Sequence, residues 1–171
     1  NAYSVGASIS GDGRYVAFES IASNLVAGDN NNVQDVFVKD LWTGTIARAS
    51  TNAAGVQGSG TSVGASISVD GRYVVFESDA SNLVAGDSNG GWDIFIKDLQ
   101  TGAVTRVSTD AFGVEGNYNS YNASISADGR YVVFESDASN LVTGDTRSMR
   151  DIFVKDLQTG AVTRVSTDAF G

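Results

Sequence analysis

ASISGDGRYVAFES, residues 7–20, returns as ASISVDGRYVVFES at 65–78 and as ASISADGRYVVFES at 123–136. The spacing is 58 residues both times. A second block follows each copy: DVFVKDLWTGTIARAS from Asp35, DIFIKDLQTGAVTRVS from Asp93 and DIFVKDLQTGAVTRVS from Asp151, again 58 apart. Self-similarity at a fixed period governs the fold before any local propensity does. The 171 residues are three units, 1–58, 59–116 and 117–171, the last slightly short.

Each unit reads as four short strands. In the middle copy, strand A is expected near Ala65–Ser68, and Asp70-Gly71 makes a hairpin turn because glycine tolerates positive φ. Strand B is Tyr73–Ser78, apolar on successive residues, which fits burial of both sheet faces. Strand C is Asp93–Asp98 and strand D is Ala103–Ser108, separated by the Thr101-Gly102 turn. In strand D, Val104 and Arg106 alternate with Thr105 and Val107, a pattern for an outer strand with one wetter face. A four-stranded antiparallel sheet that is apolar on both faces and repeated must stack on copies of itself. The expected fold is all-β: a β-propeller with three four-stranded blades in the chain.

The residues also resemble a known family. An S-x-D-G turn, an apolar strand B, the D-I/V-F-V/I strand C and a T-G turn before an Arg-containing strand D are similar to the repeat of TolB-like β-propellers. The resemblance covers essentially the whole chain, three times over. Missing are the proline often found beside the first turn and a short B–C segment, which is long in this sequence. The resemblance implies interaction platforms, accessory domains or enzyme caps rather than one activity. Propellers close with about four to eight blades, so three leave two apolar faces open. Six is a typical count for the resembled family. The expectation is a homodimer closing one six-bladed ring, with a fragment of a longer array as the alternative.

Composition narrows the function classes. A formal charge of −9 without a basic patch argues against nucleic acid and anionic membranes as partners. There is no Cys and no His, which removes thiol chemistry, the Ser-His triad and the commonest zinc ligand. The chain opens on Asn rather than Met and shows no basic-then-apolar leader, so a cut-out, matured or engineered piece is expected. Near-identical blades with dissimilar loops also suit a designed or recently duplicated array.

The variation has a location. Copies two and three differ at eight positions over Ser66–Gly113 and Ser124–Gly171, and five of these, 146–150, are contiguous in the B–C loop. The D–A connections vary as well: NAYSVG at 1–6, SGTSVG at 59–64, NYNSYN at 117–122. In an A-B-C-D blade both connections lie on one face of the disc, around the channel mouth. Drift of exposed loops explains such variation without selection. A binding face for a protein or glycan is suggested by the residue types it carries, namely Tyr3, Trp92, Tyr118, Tyr121, Arg147, Met149 and Arg150.

The B–C loops also carry acidic residues. Asp29, Asn31 and Asp35, like Asp87, Asn89 and Asp93, place side-chain oxygens at loop positions one, three and seven. Calcium takes six to eight oxygen ligands, so it is the one cofactor the sequence suggests. The plainer reading has the first Asp capping a turn and the last accepting loop N–H bonds. In the third loop Arg147 replaces the Asn, which removes a ligand and offers a partner to Asp145 or Asp151.

No catalytic constellation stands out. Glu19, Glu77 and Glu135 recur in every copy, as do Asp12, Asp70 and Asp128, and residues common to all blades read as structural. No P-loop, dinucleotide fingerprint or nucleophile elbow is present. The expected function is a non-enzymatic, self-assembling scaffold or binding module. The alternative is a carbohydrate-active hydrolase domain using channel carboxylates.

Overall fold

The computed structural model describes residues 2–145 and 149–167. Twelve strands lie within them. The first blade holds β1 (Ser4–Ile9), β2 (Tyr15–Ser20), β3 (Asp35–Asp40) and β4 (Ile46–Arg48). The second holds β5 (Ser62–Ile67), β6 (Tyr73–Ser78), β7 (Asp93–Asp98) and β8 (Val104–Arg106). The third holds β9 (Ser120–Ile125), β10 (Tyr131–Ser136), β11 (Asp151–Asp156) and β12 (Val162–Arg164). Each sheet is antiparallel and runs in chain order, A-B-C-D, so no blade mixes strands from distant parts of the sequence.

The inner strand differs from the sequence expectation. Strand A of the middle blade begins at Ser62, not Ala65, and strand D pairs only over Val104–Arg106 rather than 103–108. The cause on the inner strand is a β-bulge. Val63 pairs with Glu77 and Ser66 with Val75, so strand A carries one extra residue between them. Gly64 sits there at φ +68°, and Gly6 and Asn122 hold the same place at φ +63° and +53°. Gly and Asn are the residues that enter this region most readily. The bulge therefore hides a strand inside a segment that reads as a loop.

The A–B turns repeat one hydrogen-bonded frame. Ser68 Oγ donates to Asp70 Oδ1 at 2.5 Å, and the same carboxylate accepts Arg72 N–H at 3.0 Å. Arg72 then crosses to the C–D turn and binds Asp98 through Nε and Nη2, at 3.2 and 2.7 Å. Arg14–Asp40 and Arg130–Asp156 repeat this fork at the same disc face. Such paired contacts to a carboxylate fix orientation as well as distance.

Strand B faces two ways, as its unbroken apolar run predicts. Val74 and Phe76 join Ala17, Val36, Val38 and Ala49 of the first blade in one core. Val75 joins Ile94, Ile96 and Val107 and meets Val132, Phe134, Leu141 and Phe153 of the third blade in the other. Full burial of each such side chain stabilises the stack by about 1.5–3 kcal/mol. The hydrophobic core thus lies between blades, and each blade depends on its neighbour.

Candidate functional site

The B–C and D–A connections emerge at the end of the sheets where strands A and C begin. Tyr3 precedes β1, Trp92 precedes β7, Met149 and Arg150 precede β11, Tyr118 lies just before β9 and Tyr121 lies within it. Arg147 falls outside the described residues. Tyr3, Tyr118 and Met149 are largely exposed, whereas Trp92 and Tyr121 are half-buried.

Two groupings form among these residues. Trp92 is stitched to the next blade: its N–H donates to Asn119 Oδ1 at 2.9 Å, and its carbonyl accepts Ser120 N–H at 2.7 Å. The B–C loop of blade two and the Tyr118–Ser120 segment of blade three are thereby one continuous rim. On blade three, the Arg150 guanidinium lies 4.5 Å from the Tyr121 ring centroid. It also binds Asp137 at 3.1 Å and approaches Glu135 at 3.6 Å. Tyr3 belongs to blade one, two blades from Tyr121.

Beneath the rim, the acidic loops are organised around an arginine that the sequence reading did not assign to them. Arg48, at the end of β4, lies 3.5 Å from Asp29 and 3.4 Å from Asp35. Arg106 lies 3.7 Å from Asp87 and from Asp93, and Arg164 lies 3.4 Å from Asp145 and 3.5 Å from Asp151. The carboxylates of the first two loops are almost fully buried with their arginines. Asp93 also accepts Ser108 Oγ–H at 2.5 Å. Asn89 turns its NH₂ to Asp93 at 3.2 Å and to the Gly116 carbonyl at 2.8 Å, while its oxygen accepts Gly91 N–H at 2.7 Å. Asn31 makes the equivalent bonds in the first loop.

This donor set does not fit calcium. The two carboxylates of each loop already face a cation on the protein, and the amide oxygen is aimed at backbone N–H. Among the described residues no cluster of three or more Asp, Glu, His or Cys forms a cation cage. The last Asp of each loop holds the strand-D arginine and a serine two residues after it rather than chiefly loop N–H groups. Among the described residues, Arg164 is a cation in contact with both Asp145 and Asp151, and the expected pairing of Arg147 with either lies outside them. The available signal was the arginine present in every strand D, a lone charge opposite an acidic loop.

Glu115 ties the D–A loop to the same cluster. It binds Arg106 at 2.5 Å and accepts Ser88 N–H and Oγ–H at 3.2 and 3.0 Å. Gln57 replaces it in blade one, bonded to both Arg48 and Asn30. Burial pushes the Asp93 carboxyl up to about 6, against the pull of Ser108 and Arg106. Asp35 and Asp87 shift upward for the same reason.

Glu19 and Glu77, in strand B of blades one and two, each accept a backbone N–H of the next blade. Glu19 Oε1 accepts Gly64 N–H at 2.7 Å, and its other oxygen accepts Gln34 Nε2–H at 2.7 Å. Glu77 Oε2 accepts Asn122 N–H at 3.1 Å. Each therefore caps the bulge of the next blade. Burial, with smaller contributions from Glu19 and Glu135, raises the Glu77 carboxyl above its ordinary range.

Comparison with protein-family models and with curated proteins gives no match. Solved structures do match. TolB from Acinetobacter baumannii superposes with a TM-score of 0.59 at 23% identity, over 98% of this chain and 33% of that one. The β-propeller domain of the Trilobed protease from Pyrococcus furiosus gives 0.56 at 15% identity, over 95% of this chain and 41% of that one. A chain of a nidogen/laminin complex gives 0.57 at 9% identity, over 98% of this chain and 49% of that one. The chain thus spans a third to a half of the length of these structures. Its fold is that of three consecutive β-propeller blades, similar to those of TolB.

Proposed function

We propose that the protein is a binding module that presents its B–C and D–A loops as one recognition face for a protein or glycan. The observation that carries this reading is a contrast within each blade. The carboxylate–arginine clasps, Asp29/Asp35 with Arg48 and Asp87/Asp93 with Arg106, are the same from blade to blade. The residues that stand just before strand C in the same loops, Gln34, Trp92 and Arg150, are all different. Invariant clasps pre-organise the loop bases, so a ligand bears less of the cost of ordering them. Trp92, Tyr118 and the Arg150–Tyr121 pair are of the types that dominate binding energy at interfaces. A chain of a nidogen/laminin complex shares the fold, in keeping with such a role.

The hydrolase alternative has less support. Glycoside cleavage needs two carboxyl groups free to act on one bond. Glu19 and Glu77 are held by amides of the following blade instead. A glycan array and a phage-displayed peptide library, probed with the full chain, test the proposal. Saturable binding that is lost in the Trp92→Ala, Tyr118→Ala double variant, with an unchanged melting temperature, supports it. Binding that survives the double variant, or turnover of chromogenic glycosides, overturns it.

A further inference from the structure

The B–C loops of blades one and two hold an asparagine in the same way and differ in the residue that follows it. Asn31 and Asn89 donate their NH₂ to the last Asp of the loop, at 3.0 and 3.2 Å. They also donate to a glycine carbonyl of the D–A connection, Gly58 at 3.1 Å and Gly116 at 2.8 Å. Each side-chain oxygen accepts the N–H two residues on, from Val33 at 3.3 Å and from Gly91 at 2.7 Å. The next residue is left-handed in both loops, Asn32 at φ +58° and Gly90 at φ +64°. Clasp and backbone are therefore shared, and the side chain after the asparagine is the difference. Asn89 is the only asparagine in the sequence that is followed by glycine. Gly90 is exposed, and a Cβ built there would meet nothing within 4 Å.

That difference matters because an asparagine side chain is an acyl group within reach of the next backbone nitrogen. Closure onto it is intramolecular, so it needs no second molecule to be brought up. A glycine nitrogen is unhindered, whereas Asn32 places a branched carbon beside the attacking atom. The polar contacts of Asn89 favour the same step. Gly91 N–H, at 2.7 Å, lies on the oxygen where negative charge develops when Cγ is attacked. The Asp93 carboxyl lies 3.2 Å from the nitrogen that has to leave. Burial holds that carboxyl at about 6, so a fraction of it is protonated near neutral pH and can pass its proton to the departing group.

We propose that Asn89 is a site of spontaneous modification, where the Gly90 nitrogen closes on the Asn89 side chain and the amide is lost. The Gly90 nitrogen forms a bond to Asn89 Cγ and gives up its proton. The Cγ–Nδ2 bond breaks, and the nitrogen takes up a proton and leaves as ammonia. Water then opens the cyclic imide at either carbonyl, leaving aspartate or isoaspartate. The net change consumes one water and releases one ammonia. Either product withdraws the NH₂ donor from Asp93 and from the Gly116 carbonyl and adds a negative charge beside Asp93 and Asp87. Isoaspartate also lengthens the backbone by one carbon shortly before Trp92. The loop that carries Trp92 thus loses a tie to strand C and a tie to the D–A connection. The inference does not rest on the loop-face reading, since its test reads mass and involves no ligand.

The full folded chain, kept near neutral pH and sampled over weeks, is digested and its peptides are weighed and fragmented. The expected result is loss of the amide at Asn89, as aspartate and isoaspartate, while Asn31 stays intact. Two variants test the cause. Asn32→Gly gives blade one the glycine of blade two at a φ that glycine adopts freely, and Asn31 is then expected to convert as Asn89 does. Gly90→Ala puts a methyl group into open space and is expected to leave Asn89 intact. If Gly90→Ala loses its cooperative melt, Asn32→Gly alone carries the comparison. Asn89 that stays intact in the folded chain overturns the proposal, and its conversion in urea would then show that the clasp protects the amide. Equal conversion of Asn31 and Asn89 in the unaltered chain, or an intact Asn31 in Asn32→Gly, also overturns it.

Discussion

Arg106 stands between Asp87 and Asp93, 3.7 Å from each carboxylate, and so occupies the centre of the loop that otherwise reads as a cation site. Its guanidinium holds the B–C loop against strand D, with Glu115 as a third acid from the D–A loop. Removing one partner of a buried ion pair leaves the other charges uncompensated, at a cost of about 3–5 kcal/mol. Arg106→Gln is therefore expected to lower stability by that order. Calcium should leave the melting temperature of the unaltered chain unchanged and raise that of the variant, whose acids then lack their cation. Thermal melts with calcium and with chelator measure both effects.

Strand β7 begins and ends on carboxylates that are shifted in opposite directions. Burial raises Asp93 to about 6, and the Arg72 fork lowers Asp98 to about 2. A carboxyl raised above its unfolded value of 3.8 binds its proton more tightly when folded. It therefore takes away stability as pH rises from about 4 through about 6. A carboxyl lowered below that value adds stability that is present above about pH 4 and lost as pH falls through about 2. Carboxyl ¹³C shifts followed against pH should separate the two residues by about four units. Denaturant melts of Asp98→Asn should show no loss of stability below about pH 2 relative to the unaltered chain.

Most of the fold was legible because the repeat is. Tyr73–Ser78 and Asp93–Asp98 are found at the bounds their patterns predict, since an unbroken apolar run between turn residues leaves little freedom. Strand A was half hidden because its bulge places Gly64 or Asn122 where a strand former would otherwise stand. The site was less legible. An Asp-x-Asn-x-x-x-Asp loop looks alike whether it surrounds a calcium ion or a guanidinium. The deciding residue, Arg106, lies 13 positions after the loop ends and meets it only through the C–D hairpin.

The bulge itself makes a further prediction. Gly64 holds φ +68°, and a Cβ there would come within 2.8 Å of Glu77 Oε1. Gly64→Ala must accept left-handed backbone strain of about 1–2 kcal/mol and move the Glu77 carboxylate that caps the next blade. Asn122 already carries a side chain at the equivalent place in blade three. Asn122→Gly is accordingly expected to change stability by no more than a few tenths of a kcal/mol, since Asn adopts this conformation readily. Urea denaturation of the two variants gives the comparison. Equal losses would mean that the bulge does not tolerate Asn for the reason given.

Two lysines of one repeat position should differ most clearly. Lys97 is buried and donates to the carbonyls of Thr51, Asn52 and Gly102 at 3.2, 3.1 and 2.7 Å. Burial pulls its ammonium below the ordinary lysine range. Lys39 bonds to the carbonyl of Gly44 in its own C–D turn. Methionine matches the length and loses the donors. Lys97→Met then takes the ammonium donor from the carbonyls of Thr51 and Asn52, the second of which keeps the N–H of Gly55, at about 1.5–3 kcal/mol for a charged donor lost. Lys39→Met costs less than about 0.5 kcal/mol. Chemical denaturation of both variants reads the difference, and equal losses would mean that the inter-blade bonds of Lys97 to Thr51 and Asn52 do not set its cost.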